Sequence, residues 1–216
     1  MARRAVVFDL DGTLIDSLPM VLAAIQHAIA PFGGRTSMEI FARLGGPPDR
    51  FLADLLPDPA AVPEALRRME VFHRENIHLI RPYDGVRTLL EELAAGGIRV
   101  AVWTGRDRAS TEALLDRHAL GGLLGTVVCG DDLPSHKPDP DGLRRILGQL
   151  GLPAAEVLLV GDADVDVLGG HACGVDTVLI RHGRTVATPV LQRTWRVVTT
   201  PAEAFELVRR DVTRAG

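Results

Sequence analysis

Val6-Val7-Phe8-Asp9-Leu10-Asp11-Gly12-Thr13-Leu14 stands near the start of the chain, an apolar run leading into two carboxylates one residue apart and then a glycine. The run reads as a strand buried on both faces, as in a parallel sheet. The two Asp then fall where that strand ends, the place where ligands bind in open α/β sheets. Side chains at i and i+2 of an extended segment point the same way, so Asp9 and Asp11 can face one small site. Gly12 lets the chain turn away. Two like charges so close repel, and a hard divalent cation with oxygen ligands is the simplest way to offset them.

Outward from this stretch, Asp16 and Ser17 precede helical spacing at Leu18, Val21, Leu22, Ile25 and Ile29, and either is a good N-cap. Helical pieces broken by Pro and Gly continue to about residue 81, with no strand pattern among them. Asp84 can cap a helix bearing Val86, Leu89, Leu90, Leu93 and Ala94, which Gly96-Gly97 stops. Strand patterns follow at Ile98–Trp103, Thr126–Cys129, Val157–Val160 and Thr177–Ile180, alternating with helical ones. This alternation predicts an α/β fold with a doubly wound parallel sheet. Residues 1–16 and 82–216 are expected to form the core, and 17–81 an inserted helical domain.

Three further groups fall just after a strand or on a loop between strands: Thr104-Gly105, Lys137 in His136-Lys137-Pro138-Asp139-Pro140, and Gly161-Asp162 with Asp166. Together with Asp9-Leu10-Asp11-Gly12-Thr13 they resemble, in order, the four motifs of the haloacid dehalogenase superfamily, most of whose members are phosphohydrolases. The resemblance spans the whole core and implies a Rossmann-like fold with a helical cap at 17–81. It also implies that Asp9 attacks phosphorus and that Asp11 acts as acid and then base. Thr104 and nearby backbone N–H groups, Gly105 among them, hold the phosphoryl oxygens, and Lys137 offsets their charge. Mg²⁺ would be held by Asp9, the Asp11 backbone carbonyl, Asp162 and Asp166. Such a set meets a chemical need, since an anion attacks a phosphate dianion only when the charge is offset.

Other readings are weaker. Asp162-Ala163-Asp164-Val165-Asp166 imitates the start of an EF-hand loop, but Val167 and Cys173 stand where that loop needs Gly and Glu. Lys137 lacks the glycines of a P-loop. Asp164 reads as a solvated helix-start residue, and His136 as a loop residue. Arg106 and Asp107 are either surface residues opening a helix or substrate contacts. Ala163 replaces a small polar residue common in the family, which puts one hydrogen bond near the metal in doubt.

Asp11 argues against the dehalogenases, which lack the second Asp. The absence of Lys from 17–81 argues against a Schiff-base branch. The neighbourhood Met20-Val21-Leu22 lacks the His of the related sugar phosphomutases, which leaves that activity as an alternative. The remaining resemblance is to the phosphoglycolate phosphatase-like group. Arg43, Gly45, Gly46 and Arg50 flank a Pro-rich turn where an Arg is expected to read a substrate carboxylate, or else lies solvated on the surface. A binding relative without activity is a further alternative, although all the catalytic positions are filled.

Composition narrows the partners. Hydrophobic residues make up 46% of 216, enough for a sizeable core, and the net charge of −4 gives no general affinity for nucleic acid. No apolar run approaches the ~18 residues of a membrane span, and with Met1–Arg4 leading straight into a strand pattern no cleavable signal is expected. Cys129 and Cys173 form neither a disulfide framework nor a zinc cluster. The expectation is a cytoplasmic enzyme, monomer or homodimer, acting on a small phosphorylated metabolite. Lys137 is the only Lys of the chain; every other position among the 24 Lys+Arg is Arg. The lone Lys is either incidental or marks a need for a compact ammonium.

Overall fold

Ala5–Phe8 form strand β1, and all four side chains are buried, as an unbroken apolar run requires when both sheet faces are covered. The computed structural model describes residues 3–36 and 48–213. Arg43, Gly45 and Gly46 lie outside them. After β1 come β2 (Ile15–Asp16), α1 (Leu18–Ile29), α2 (Pro48–Leu55), α3 (Val62–Asn76) and β3 (Arg81–Pro82). β2 and β3 pair antiparallel, Ile15 with Pro82 and Asp16 with Arg81. Then follow α4 (Val86–Ala95), β4 (Arg99–Trp103), α5 (Arg108–Arg117), β5 (Thr126–Val128), α6 (Asp141–Leu150) and β6 (Val157–Gly161). The chain closes with α7 (Asp164–Ala172), β7 (Asp176–Ile180), α8 (Thr188–Leu191), β8 (Arg196–Val198) and α9 (Pro201–Thr213).

Six strands form one parallel sheet in the order β5-β4-β1-β6-β7-β8. The chain builds outward from β1 to one side and then to the other, so the order reverses around β1, where ligands of such sheets bind. Successive residues of β1 serve opposite layers. Val6 and Phe8 pack with Leu89 and Leu90 of α4 and Phe205 and Val208 of α9. Ala5 and Val7 pack with Leu143, Ile146 and Leu150 of α6. Each such Leu, Ile or Phe contributes roughly 1.5–3 kcal/mol on burial, which fixes the register of the central strand. Leu18, Ile25, Ile29, Leu52, Leu56 and Ala65 form a separate apolar cluster among α1–α3.

Two expected caps are not made. Ser17 holds the N-cap position of α1 in a helical backbone conformation and makes no side-chain cap; its hydroxyl donates to the Asp11 carboxylate instead, a charged and therefore stronger acceptor. Asp84 does not cap α4, because Gly85, at φ 84°, occupies that position. Asp107 does cap its helix, α5, accepting from Ser110 N at 2.9 Å.

Candidate active site

Phe8 is in register with Val102 of β4 and Val160 of β6. The residues just beyond these strand ends, Asp9, Thr104 and Asp162, therefore come together at one edge of the sheet. The Asp9 amide continues the ladder to Val160 O at 2.8 Å, and the Thr104 amide does so to Val128 O at 3.0 Å. Lys137, on the loop after β5, turns inward and is buried. Its Nζ donates to Asp9 Oδ1 at 2.8 Å and to Asp166 Oδ1 at 2.7 Å, and lies 4.7 Å from the centre of the Trp103 ring. Asp166 Oδ2 accepts from Ala163 N at 3.0 Å, so one helix-start carboxylate fixes both the lysine and its own loop.

Asp9, Asp162 and Asp166 are all buried, each with a carboxylate oxygen within 4.8 Å of the others'. One ammonium cannot balance three carboxylates. Burial, opposed by Lys137 and reinforced by the Asp166 charge, pushes Asp9 up to about 7. Burial and the charges of Asp9 and Asp166 hold Asp162 well above the usual carboxylate range. Asp9 and Asp166 outweigh the effect of burial on Lys137 and keep it charged. The nearby His182 ring does not supply the missing cation. Its Nε2 donates to Gly12 O at 2.7 Å and lies 3.9 Å from Asp162 Oδ2, and burial holds its pKa below the ordinary value. The charge deficit and all-oxygen donor set fit a hard divalent cation such as Mg²⁺. The backbone is shaped for it too: at Gly12, with φ +74°, a Cβ would lie 2.2 Å from Asp162 Oδ2. Only glycine allows that approach.

Asp11 stands apart from these three carboxylates. Arg106 grips it with Nε to Oδ2 at 2.9 Å and Nη2 to Oδ1 at 2.5 Å, while Ser17 Oγ donates to Oδ1 at 2.5 Å. Burial would raise its pKa, but Arg106 and Ser17 outweigh burial and hold it below the usual range. Arg106 is therefore no surface residue at a helix start, and its side chain is only 7% exposed. Its Nη1 reaches Nε2 of His73 on α3 at 3.1 Å. An Arg can only donate, so that nitrogen accepts and the ring is neutral. The Arg106 amide donates to Thr104 Oγ1 at 3.1 Å, which leaves the Thr104 hydroxyl proton free to donate elsewhere.

These groups line a cavity of ≈ 430 Å³. Asp9, Asp11, Thr104, Gly105, Lys137, Asp162 and Asp166 all face it from the sheet edge. Leu18, Val21, Phe51, Leu66, Met69 and His73 close it from α1, α2 and α3. Arg50 does not line it; it is exposed on α2, and its neighbours Pro48 and Phe51 line the cavity instead. Asp164 opens α7 as expected, yet it is paired with Arg184 at 2.7 Å rather than solvated. Sequence reasoning did not place Ser17, His73, Trp103 or His182 at the site. The one usable signal was Trp103, adjoining Thr104 at a strand end.

Residues 6–180 match the haloacid dehalogenase-like hydrolase family, and the chain belongs to it. Within the family it falls in the phosphoglycolate phosphatase-like group. It is 33% identical over 218 residues to a phosphoglycolate phosphatase of Pseudomonas syringae pv. tomato, with 96% of this chain and 78% of that one covered. It is 33% identical over 210 residues to a phosphoglycolate phosphatase of Rhodospirillum rubrum, with 83% and 80% covered. A similar fold is seen in the crystal structure of a predicted phosphoglycolate phosphatase from Haemophilus somnus. The TM-score is 0.77 and the identity 25%, over 95% of this chain and 98% of that one.

Proposed function

We propose that the chain is a Mg²⁺-dependent phosphatase that hydrolyses a small phosphomonoester through an aspartyl-phosphate on Asp9, with phosphoglycolate the first candidate. The observation that carries this is the Lys137 ammonium bridging Asp9 and Asp166 beside Asp162 at the strand ends. Mg²⁺ held by Asp9, Asp162, Asp166 and the Asp11 carbonyl would supply Lewis-acid offset of phosphoryl charge. Lys137 supplies further positive charge, and the Thr104 hydroxyl donates to a phosphoryl oxygen. Asp9 attacks phosphorus as the ester bond breaks, and Asp11, which must first take up a proton against the hold of Arg106 and Ser17, gives that proton to the leaving oxygen. Water then attacks the phosphorus, Asp11 takes its proton, and phosphate leaves Asp9 free. In this reading, residues 17–81 are a cap over a core of 1–16 and 82–216, and α1–α3 exclude water during the reaction.

A second substrate reading has its own support. Leu18, Val21, Phe51, Leu66 and Met69 give the cavity an apolar wall, which suits a leaving group with a larger apolar body than glycolate. A panel of phosphomonoesters with phosphate release as readout, run with Mg²⁺ and with excess chelator, separates the two. Hydrolysis that survives chelation would overturn the metal-dependent mechanism.

A further inference from the structure

We propose that Arg106 reads a carboxylate on the leaving-group side of the substrate, and that moving to it uncovers an oxygen of Asp11 to face the leaving oxygen. This rests on the phosphatase reading above. Both Asp11 oxygens are occupied as the chain stands, Oδ2 by Arg106 Nε and Oδ1 by Arg106 Nη2 and Ser17 Oγ. Three donors take three of the roughly four acceptor positions of this carboxylate and crowd the approach of a leaving oxygen with which it must exchange a proton. The Arg106–Asp11 pair is thus a resting arrangement, and something must draw the guanidinium away.

The rest of the residue is fixed. The Arg106 amide donates to Thr104 Oγ1 at 3.1 Å, and its carbonyl accepts from Gly130 N at 2.8 Å. Any change is therefore confined to the long side chain. Among the described residues lining the cavity, the charged cations are Lys137 and Arg106. Lys137 is committed to Asp9 and Asp166, on the phosphoryl side. Arg106 reaches His73 of α3 instead, on the wall of the cavity that α1–α3 supply and away from the Lys137 pairs. A guanidinium that holds one carboxylate bidentately can hold another in the same way. Exchange of Asp11 for a substrate carboxylate replaces like with like. A neutral leaving group offers no such replacement and would leave a buried guanidinium unpaired if it moved. Ser17 keeps Asp11 in place throughout. Substrates bearing a carboxylate a few bonds from the ester oxygen are favoured in both binding and proton transfer.

The test uses the full chain with Mg²⁺ and two substrates of similar length, phosphoglycolate and ethyl phosphate. Wild type should prefer phosphoglycolate by at least about 100-fold in kcat/KM, since a site built for a polar group can reject an analogue without it by as much as about 10⁴–10⁵-fold. Arg106→Gln should reduce that preference to below about fivefold, and Arg106→Lys to an intermediate value. As a binding readout without turnover, 3-phosphonopropionate should inhibit wild type at least about tenfold more tightly than propylphosphonate, and Arg106→Gln should remove the difference. Circular dichroism establishes that each variant is folded, and Arg106→Lys carries the test if Arg106→Gln is not. An equal fall on both substrates would overturn the proposal, leaving Arg106 only as support for Asp11. A preference that survives Arg106→Gln would overturn it too. Wild type that hydrolyses ethyl phosphate with no preference for phosphoglycolate would sink this inference alone. Folded wild type that hydrolyses no phosphomonoester would sink the phosphatase reading with it.

Discussion

Lys137 Nζ lies 4.7 Å from the centre of the Trp103 ring while its hydrogen bonds go to Asp9 and Asp166. The ammonium is buried between the indole face and the two carboxylates. Lys137→Arg keeps the charge but brings a wider, planar group. It should lower kcat by more than about 100-fold on any phosphomonoester the wild type accepts. The overpacking should cost about 1–3 kcal/mol of stability, read as a fall in Tm. Near-normal turnover in this variant would show that the lone lysine is incidental.

Asp162 and Asp164 are two residues apart and should respond differently. The Asp162 carboxylate belongs to the buried trio, whereas that of Asp164 is held by Arg184, which also donates to the Asp162 carbonyl at 3.0 Å. Calorimetric titration with Mg²⁺ should show Asp162→Asn weakening binding by about 100-fold or more, and Asp164→Asn by less than about tenfold. Equal losses would mean that the ligand is misassigned.

Asp9 and Asp11 have separate tasks under the proposed mechanism. Asp9→Asn should remove both phospho-enzyme formation and turnover. Asp11→Asn should still form the phospho-enzyme from nitrophenyl phosphate, whose leaving group needs little protonation, and then hydrolyse it slowly. Rapid quench with mass spectrometry reads the outcome. Phosphate trapped on a residue other than Asp9 would overturn the roles.

His73 makes stability depend on pH. Burial and the Arg106 charge hold its pKa below the ordinary value. As pH falls below about 6.5, the unfolded chain takes up a proton that the folded chain does not. Stability supplied by this residue is therefore present above that pH and lost on the acid side. Between pH 7.5 and 5.5 wild type should lose more stability than His73→Gln. The difference should be at most about 1 kcal/mol, because the ring is partly solvated. Parallel Tm curves for the two proteins would count against a neutral, accepting His73.

The sheet was legible because β1, β4 and β6 are apolar runs ending in Asp, Thr and Gly-Asp, and those endings meet at one edge of the sheet. The pairing of Ile15–Asp16 with Arg81–Pro82 was not, since two residues hold no period. Nor was β8, where Arg196–Val198 follows a short helix and is largely exposed. Arg106 looked like a solvated charge at a helix start because its partner, Asp11, lies 95 residues earlier. The same is true of Ser17, a good capping residue by type, whose hydroxyl is drawn to a charge that only the folded chain brings near. Arg50 could be read either as a substrate contact or as a solvated charge; it is exposed on α2, and the face of α2 that meets the cavity bears Phe51.

From the side of the sheet, the segment between β2 and β3 is a loop whose two ends are already tied together, with Tyr83 N adding a bond to Leu14 O at 3.0 Å. The entropy of closing a loop rises slowly with length, by about 0.6 kcal/mol per doubling, so the ribbon tolerates inserts of different length, although Met20 and Ala24 of α1 pack into the core cluster of the sheet. The insert could in that sense be resized at the end away from the sheet, with Asp9, Thr104, Lys137 and Asp162 keeping their spacing, so long as α1 and α3 keep their packing on the core. Arg106 lies outside the insert, on the loop after β4. A transplanted insert would carry the apolar wall and His73 to a new host, but the guanidinium facing them would stay behind.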